Sequence, residues 1–299
     1  MKCQEDIRVN ICFRIFDKVG RMGMLDWMPD KQYLSIMYRG FMGKKLNVIK
    51  PATFNEKLQW LKLHDRKPEY TTMVDKYAVK KYVEQILGGG EKYIIPTLGV
   101  WNEFDDIDFS TLPDCFVLKC THDSGGIAIC KDKEQFDYSD ARNRIIRSLK
   151  CNYYSHGREW PYKDVPPKVI AEEYLGDSLN DYKFFCFNGK VKCFKIDFDR
   201  FTNHHANYYD CNGDILPFGE AEYIPIPEKK IEMPKKLGLM IELAEKLASQ
   251  LLFLRVDFYE VNGKVYFGEL TFYPASGMGR FVPESWDIEL GKWLKLPIE

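Results

Sequence analysis

A segment near the carboxyl end of the chain places ionisable side chains inside an otherwise apolar pattern. Residues 254–277 read LRVDFYEVNGKVYFGELTFYPASG, and the Asn-Gly pair predicts an antiparallel hairpin. Its strands carry Arg255, Asp257 and Glu269. Two carboxylates on a buried face need a counter-charge. The counter-charge is either Arg255 in an ion pair or Mg²⁺, which takes one or two carboxylates and completes its shell with phosphate and water.

The register of this hairpin decides whether the charges meet. Side chains alternate between the two faces of a strand, so a two-residue turn would place Asp257 and Glu269 on opposite faces. A three-residue loop, Val261 to Gly263, with Gly263 in the left-handed conformation, would place Glu269 opposite Arg255. We therefore predict that loop, with Thr271 on the same face as the three charged side chains.

A second candidate site lies in the segment CFVLKCTHDSGG. Lys119 stands in an apolar run, and a lysine in a buried strand is rare unless it is paired. The loop that follows contains Ser124, Gly125 and Gly126, and backbone N–H groups of such loops bind phosphates. The alternative is an edge-strand lysine that extends to solvent, followed by a plain turn. The sequence leaves both open.

Other polar residues give weaker signals. Lys76, in VDKYAVKKYV, resembles an ordinary helix-surface lysine, and its charge does not distinguish it from Lys80 or Lys81. Glu172 and Glu173 follow an apolar strand in KVIAEEYL. Adjacent residues of a strand face opposite ways, so one of the two acids could reach a ligand.

These residues need strands and helices to position them. The first 95 residues predict short helices, one of which begins with a Thr53–Glu56 capping box. From Tyr93 onward short strands dominate, including a hairpin at Asn188-Gly189, and a helix runs from Pro234 to about Gln250. Residues 203–233 are expected to be irregular. The adjacent antiparallel strands predict an α+β fold, not a doubly wound parallel sheet.

Composition excludes several classes of protein. The 299 residues include 43 basic and 44 acidic side chains, so no global charge attracts nucleic acid. Nine cysteines without a C-x-x-C spacing predict neither a disulfide framework nor structural zinc, and favour a reducing cytosol. The N-terminal residues contain no uninterrupted apolar run, so we expect a cytoplasmic protein without a signal peptide or membrane insertion.

The order of these motifs resembles the ATP-grasp fold. That fold combines a helix beginning Asp-Lys, a strand lysine before a glycine-rich loop, an acidic hinge and a final R-x-D…E-x-N strand pair. VDKYAVKKYV, FVLKCTHDSGG, IAEEYL and LRVDFYEVNGKVYFGELT occur here in that order. The likeness is closest to the TupA-like branch, named for teichuronopeptide biosynthesis, and covers about residues 50–295. TFNEKLQWLKLHDRKPEYTTMVDKYAVKKYV, GREWPYKDVPPKVIAEEYLGD and GELTFYPASGMGRFVPESWDIELG are similar to its characteristic segments.

The resemblance implies two α+β lobes that clamp ATP, preceded by a mainly helical region. It implies a helical region at 1–95, a small lid subdomain at 96–176 and a large subdomain at 177–299. Lysines and the glycine loop would bind ATP phosphates, and the acidic pair would hold adenine and ribose: Lys76, Lys119, Lys183, Ser124, Gly125, Gly126, Glu172 and Glu173.

The remaining implied roles concern the hairpin and the acceptor end. Asp257 and Glu269 would bind Mg²⁺, and Arg255, with Lys119, would stabilise the transferring phosphoryl group. Thr271 stands where most ATP-grasp enzymes have a metal-binding asparagine, which weakens the expectation of a second metal. Acceptor-side residues would be Ser276 and Gly277 of the ASGMG segment, and His122 would contact phosphate or have a structural role.

The implied activity is an ATP-dependent carboxylate–amine ligase that forms an amide through an acyl-phosphate. The resemblance implies as partners a uronic acid of a capsular or cell-surface polysaccharide precursor (a free sugar, sugar nucleotide or glycan) and an amino acid or small amine. Two other interpretations remain: a glycosyltransferase of polysaccharide biosynthesis, and a non-catalytic glycan-binding ATP-grasp protein. No D-x-D motif follows a parallel strand, and DFDRF at 197–201 lies in a predicted antiparallel region, which disfavours the transferase. The sequence does not indicate an oligomeric state.

Overall fold

A computed structural model describes residues 11–177, 179–199 and 203–298. Residues 1–10, part of the N-terminal segment that we expect not to be a signal peptide, lie outside this range. The last two residues of DFDRF also lie outside it. Among the described residues, no helix is both long enough and apolar enough to cross a membrane.

The helices that the sequence predicts after Thr53 and after Pro234 are present, the second over Leu237–Ala248. Thr53 and Glu56 form the predicted capping box, in which each side chain accepts a bond from the other's backbone N–H. Gly88, in the left-handed conformation, ends the helix Ala78–Leu87. The helices are α1 Ile11–Arg21, α2 Asp30–Met42, α3 Phe54–His64, α4 Glu69–Val74, α5 Ala78–Leu87, α6 Tyr138–Leu149, α7 Tyr154–Gly157, α8 Leu237–Ala248 and α9 Ser285–Trp293.

The described strands form three antiparallel sheets. The order is β1-β4-β2-β3 in a four-stranded sheet, β10-β9-β5-β6-β7 in a five-stranded sheet and β11-β8 in a short pair. Their bounds are β1 Thr97–Trp101, β2 Phe116–Cys120, β3 Ile127–Cys130, β4 Val169–Glu173, β5 Asp181–Phe187, β6 Lys190–Phe198, β7 His205–Tyr209, β8 Gly219–Glu220, β9 Phe253–Val261, β10 Lys264–Thr271 and β11 Phe281–Val282.

The segment 203–233 is more ordered than we predicted. It contributes β7 to the edge of the five-stranded sheet and β8 to the short pair. The buried side chains of β7 explain why it forms a strand: Tyr208 is fully buried and its ring stacks on Phe218. The α+β fold itself is confirmed.

Two separate hydrophobic cores support the four-stranded and the five-stranded sheet. The smaller core lies between the four-stranded sheet and α6 and includes Phe116, Leu118 and Ile145. The larger core lies under the five-stranded sheet and also includes Leu58 of α3 and Val83 of α5. Part of the expected helical region therefore packs into the large lobe, whereas the division into three subdomains remains a prediction.

The charged hairpin formed by β9 and β10 has a different register from the predicted one. Asn262 and Gly263 form a two-residue turn, with φ of 51° and 73°, and Lys264 pairs with Val261. The prediction of a three-residue loop is therefore wrong. A β-bulge at Gly268 then shifts the register, so that Glu269 lies opposite Asp257. The bulge restores the shared face that a two-residue turn alone would have destroyed.

Candidate active site

The charged side chains of the hairpin meet at the surface of the five-stranded sheet. The Arg255 guanidinium donates to both carboxylate oxygens of Asp257, at 2.7 Å each, and to Glu269 Oε1 at 2.7 Å. Burial favours a lower pKa for Arg255, but the two carboxylates outweigh it and raise that pKa. The structure thus shows the ion-pair arrangement, and the predicted convergence of these three residues is present.

Lys183 extends this charged surface by one strand. It lies opposite Asp257 in the β5–β9 pairing, and its Nζ is 2.9 Å from Asp257 Oδ2 and also contacts Asp181. Burial lowers the pKa of Lys183, but the two carboxylates reverse this and raise it. Burial raises the pKa of Asp257, and its two cationic partners oppose that shift. Lys183 therefore lies beside the hairpin, and its contact with the ATP phosphates remains a prediction.

Lys119, on β2 of the four-stranded sheet, is one partner of a buried ion pair. Its Nζ is 2.6 Å from Glu172 Oε2, while Lys80 Nζ is 2.5 Å from Oε1 of the same carboxylate. Glu172 thus binds two lysines, which differs from its predicted contact with adenine or ribose. Glu173 is exposed at the end of β4, and its nucleotide contact remains a prediction. Burial opposes ionisation of Glu172, but both lysines favour it and lower its pKa.

The glycine loop is tied to Lys76, which lies in the turn between α4 and α5 and not at the start of a helix. The Lys76 backbone N–H donates to Thr121 O at 3.0 Å, and its Nζ contacts the carbonyl of Asp123. The Asp123 carboxylate accepts from Gly126 N at 3.1 Å and contacts the Ser148 hydroxyl. The loop is therefore anchored at its two ends, Asp123 and Gly126.

Two other loop residues have different surroundings. Ser124 borders the cleft, and its hydroxyl lies 3.3 Å from the Tyr153 hydroxyl. His122 is buried, and its Nε2 lies 3.1 Å from each of the carbonyls of Ser148 and Cys151. The structure does not bring His122 to the cleft, so its phosphate contact is corrected to a structural one.

Four cations from separate elements lower the pKa of one carboxyl group, that of Glu269. Burial raises the pKa of Glu269, but the positive charges of Arg255, Lys76, Lys183 and Lys119 together lower it to about 2. Lys76 and Arg255, which are 179 positions apart in sequence, thus both stabilise the charge of Glu269.

The donor set of the hairpin fits a magnesium ion by its chemistry. Asp257 and Glu269 are cross-strand neighbours, and the Thr271 hydroxyl lies 3.4 Å from Glu269 Oε1. Two carboxylates beside a phosphate site match the oxygen ligands that Mg²⁺ takes with nucleotides. The described residues contain no cluster of three or more Asp, Glu, His or Cys that would hold a metal ion without such a substrate.

The ASG segment after the hairpin has a left-handed backbone. Ala275, Ser276 and Gly277 have φ of 47°, 53° and 60°. Non-glycine residues adopt this conformation at an energetic cost, which the surrounding contacts must offset. Gln59 Nε2 donates to the carbonyls of Ser276 and Gly277 at 2.9 and 2.7 Å, and Lys62 Nζ donates to Ser276 O at 2.9 Å.

Sequence reasoning missed three charged residues of this region. Lys80 was not distinguished from its neighbours, and Lys62 and Glu159 were not considered. Lys62 follows Asn55 and Gln59 at helical spacing, and all three are buried. Polar residues on the core-facing stripe of α3 were an available signal. Glu159 gives no such signal, because its burial arises from contacts with distant segments.

The comparisons with known proteins agree with the fold. The family model of TupA-like ATPgrasp matches residues 56–295. No curated protein sequence matches the chain.

Similar solved structures are distant. A D-alanine–D-alanine ligase from Bacillus anthracis, complexed with ATP, has 18% identity and a TM-score of 0.39 over 67% of this chain and 55% of that one. An N5-carboxyaminoimidazole synthetase from Staphylococcus aureus, complexed with ADP, has 13% identity and a TM-score of 0.38 over 67% and 44%. A RimK domain protein from Sphaerobacter thermophilus has 11% identity and a TM-score of 0.39 over 75% and 69%.

This chain spans about half the length of the first two structures, so their activities are not transferred. The family match is different in kind, because it covers most of the chain and contains the lysines, the glycine loop and the hairpin described above. The chain belongs to the TupA-like ATP-grasp family.

Proposed function

We propose that this protein is an ATP-dependent carboxylate–amine ligase that forms an amide through an acyl-phosphate. The observation that carries the proposal is the convergence of Lys76, Lys119, Lys183 and Arg255 on Glu269, which lowers the pKa of that carboxyl to about 2. Positive side chains from separate elements around this carboxylate suit the meeting of two anions, a carboxylate and a nucleotide triphosphate.

The reaction has two steps. A carboxylate oxygen of the acid attacks the γ-phosphorus of ATP, the bond to the β-phosphate oxygen breaks, and ADP leaves. An amine nitrogen then attacks the acyl carbon, the C–O bond to phosphate breaks, and an amide, phosphate and a proton are released. In the first step Lys76 and Lys119 hold the phosphates, and Arg255 stabilises the charge of the transferring group.

Mg²⁺ bound with ATP by Asp257 and Glu269 would supply charge neutralisation at the β- and γ-phosphates. The Thr271 hydroxyl would bind a metal-coordinated water. The segment between Asp123 and Gly126 would cover the phosphates and keep water from the acyl-phosphate.

The substrates are inferred from the family resemblance. A uronic acid of a capsular or cell-surface polysaccharide precursor would supply the carboxylate, and an amino acid or small amine would supply the nitrogen. The cavity described below, of about 480 Å³, has room for a monosaccharide-sized acceptor beside Arg255.

The test is ADP release, measured with ATP, MgCl₂, D-glucuronate or UDP-glucuronate, and a set of amino acids. We expect turnover only when an acid is present, and we expect Asp257→Asn to lower it about 10²- to 10³-fold by removing charge at the phosphoryl-transfer site. Glu260→Gln is the matched control, because Glu260 lies on the same strand but faces the other way. Equal turnover in the Asp257→Asn protein would exclude the proposed role of that residue. Consumption of a sugar nucleotide without ATP would indicate a glycosyltransferase instead.

A further inference from the structure

A cavity of about 480 Å³ adjoins the phosphoryl-transfer site. Arg255 and Glu269 form one side of it, and Ser124 of the glycine loop forms another. Met37 and Phe41 of α2, which precede the residues matched by the family model, close it from the N-terminal side. A molecule in this cavity would therefore contact both lobes and the reacting phosphate.

Glu159 contributes a buried carboxylate to this cavity. Its residue surface is 4% exposed, and the Ser276 side chain hydrogen-bonds to it. The preceding residue, Arg158, extends elsewhere, since its guanidinium donates to Asp26 Oδ1 and Leu25 O at 2.5 Å each. Glu159 thus has a hydrogen bond that fixes its position, and its carboxylate borders the cavity.

The nearest buried cation does not neutralise Glu159 by direct contact. Lys62 Nζ donates to Gly157 O at 2.6 Å and to the carbonyl and hydroxyl oxygens of Ser276 at 2.9 Å each. These three bonds use all three donors of the ammonium group. In the described part of the chain, no Lys or Arg nitrogen lies within 4.0 Å of a Glu159 oxygen.

A buried carboxylate without a cation in contact is unfavourable, because burial penalises the charged form. Burial raises the pKa of Glu159, and the more distant charges of Lys62 and Arg255 oppose the shift only in part. The negative charge of Glu159 in turn raises the pKa of Tyr153, which keeps that phenol neutral. A cation that enters the cavity would supply the missing contact.

We infer that Glu159 binds the ammonium group of the acceptor amine, and that the cavity therefore selects a primary amine as the second substrate of the proposed ligase. The inference rests on the proposed function for the identity of the reaction. Tyr153, Tyr162 and Tyr273, which also line the cavity, present aromatic rings of the kind that attract cations. The bound ammonium group releases one proton to water, and the neutral amine formed, held in the cavity beside Arg255, attacks the acyl-phosphate.

The experiment separates amine binding from acid activation. Wild-type protein is assayed with ATP, MgCl₂ and D-glucuronate, first with hydroxylamine, which is uncharged at neutral pH and traps the acyl-phosphate as a hydroxamate. Glycine, L-alanine, L-glutamate and ethanolamine are then compared as amines. For Glu159→Gln we expect hydroxamate formation within about twofold of wild type, and an amine KM raised about 10- to 100-fold through loss of a charge-assisted hydrogen bond.

Two variants serve as controls. Glu222→Gln removes an exposed carboxylate that lines the same cavity, and we expect its amine KM to stay within about twofold of wild type. Glu159→Asp keeps the charge and should restore part of the lost affinity. If Glu159→Gln does not fold, Ser276→Ala tests the same site, because it removes the hydrogen bond that orients Glu159.

A measurement without turnover distinguishes this inference from the proposed function. Ethylammonium chloride should raise the melting temperature of the wild-type protein more than KCl at equal ionic strength, and Glu159→Gln should abolish the difference. An unchanged amine KM in a folded Glu159→Gln protein, or equal effects of the two salts on wild type, would overturn the inference. If no acid supports either ADP release or hydroxamate formation while the ammonium effect depends on Glu159, the proposed function fails and the cation site stands.

Discussion

The bridge from Glu172 to Lys80 and Lys119 makes a quantitative prediction about stability. Glu172 binds the two lysines at 2.5 and 2.6 Å, and the three side chains are 6%, 12% and 19% exposed. Removing one partner of a buried ion pair costs about 3–5 kcal/mol. Partial exposure of Lys119 and the remaining amide oxygen reduce this figure. We therefore expect Glu172→Gln to lower the free energy of unfolding by about 2–4 kcal/mol at neutral pH.

The assay is urea denaturation of four proteins: wild type, Glu172→Gln, Lys80→Met and the double variant. We expect a coupling energy of about 1–2 kcal/mol between the two sites. Glu173→Gln is the matched control, since Glu173 is the adjacent but exposed acid, and we expect a change within about 0.5 kcal/mol. A coupling energy near zero would refute the ion-pair reasoning.

The pH dependence gives an independent check. The pKa of Glu172 is lowered in the folded state from its ordinary value of 4.5, so its stabilisation is present above pH 4.5 and is lost as the pH falls through the folded value. The difference in unfolding free energy between wild type and Glu172→Gln should thus shrink below pH 4.5. A difference that stays constant or grows on acidification would contradict an ionised Glu172.

Three further predictions concern glycines and are measured by urea denaturation. Gly263→Ala should destabilise by about 1–2 kcal/mol, because its φ of 73° places a Cβ in the left-handed region. Gly157→Ala should destabilise by about 1–3 kcal/mol, since the new Cβ would lie 2.1 Å from Ser276 Oγ. Gly238→Ala, in α8 with no atom within 4 Å of the new Cβ, should stabilise by about 0.5–1 kcal/mol. A neutral Gly263→Ala, a neutral Gly157→Ala or a destabilising Gly238→Ala would contradict the local geometry in each case.

Local signals predicted much of the fold. The Thr53–Glu56 capping box and the Asn188-Gly189 hairpin each depend on neighbouring residues, and each is present. The charged hairpin was identified for the same reason, because period-two alternation exposes a misplaced charge. Recognition of the family rested on the order of several such local motifs and is confirmed by the family match.

The predictions from sequence were wrong where one extra residue shifts the register of a whole strand. They also missed contacts between segments that are distant in sequence. We predicted a three-residue turn to bring the charges onto one face, whereas a two-residue turn followed by a β-bulge does so. Gly268 inside the strand pattern was the available signal for that bulge. The two lysines bound by Glu172 come from a helix and a neighbouring strand, and the sequence contains no trace of their approach. The buried position of Glu159 depends likewise on Ser276, more than a hundred residues away.

The hairpin charges were interpreted as an ion pair with Arg255 or as a magnesium site. Under the proposed function, these two arrangements are successive states of the same residues. In the structure Lys119 binds Glu172, and Lys183 binds Asp257. Arg255 bridges the two hairpin carboxylates. Nucleotide phosphates that bind these cations compete with these protein oxygens. Where a phosphate replaces them, buried Asp257 and the partly exposed Glu269 remain as adjacent carboxylates without their partners, which favours a divalent cation that arrives with the nucleotide. The ion pairs therefore hold the site charged and ordered before ATP binds, and they predict that metal and nucleotide bind together rather than separately.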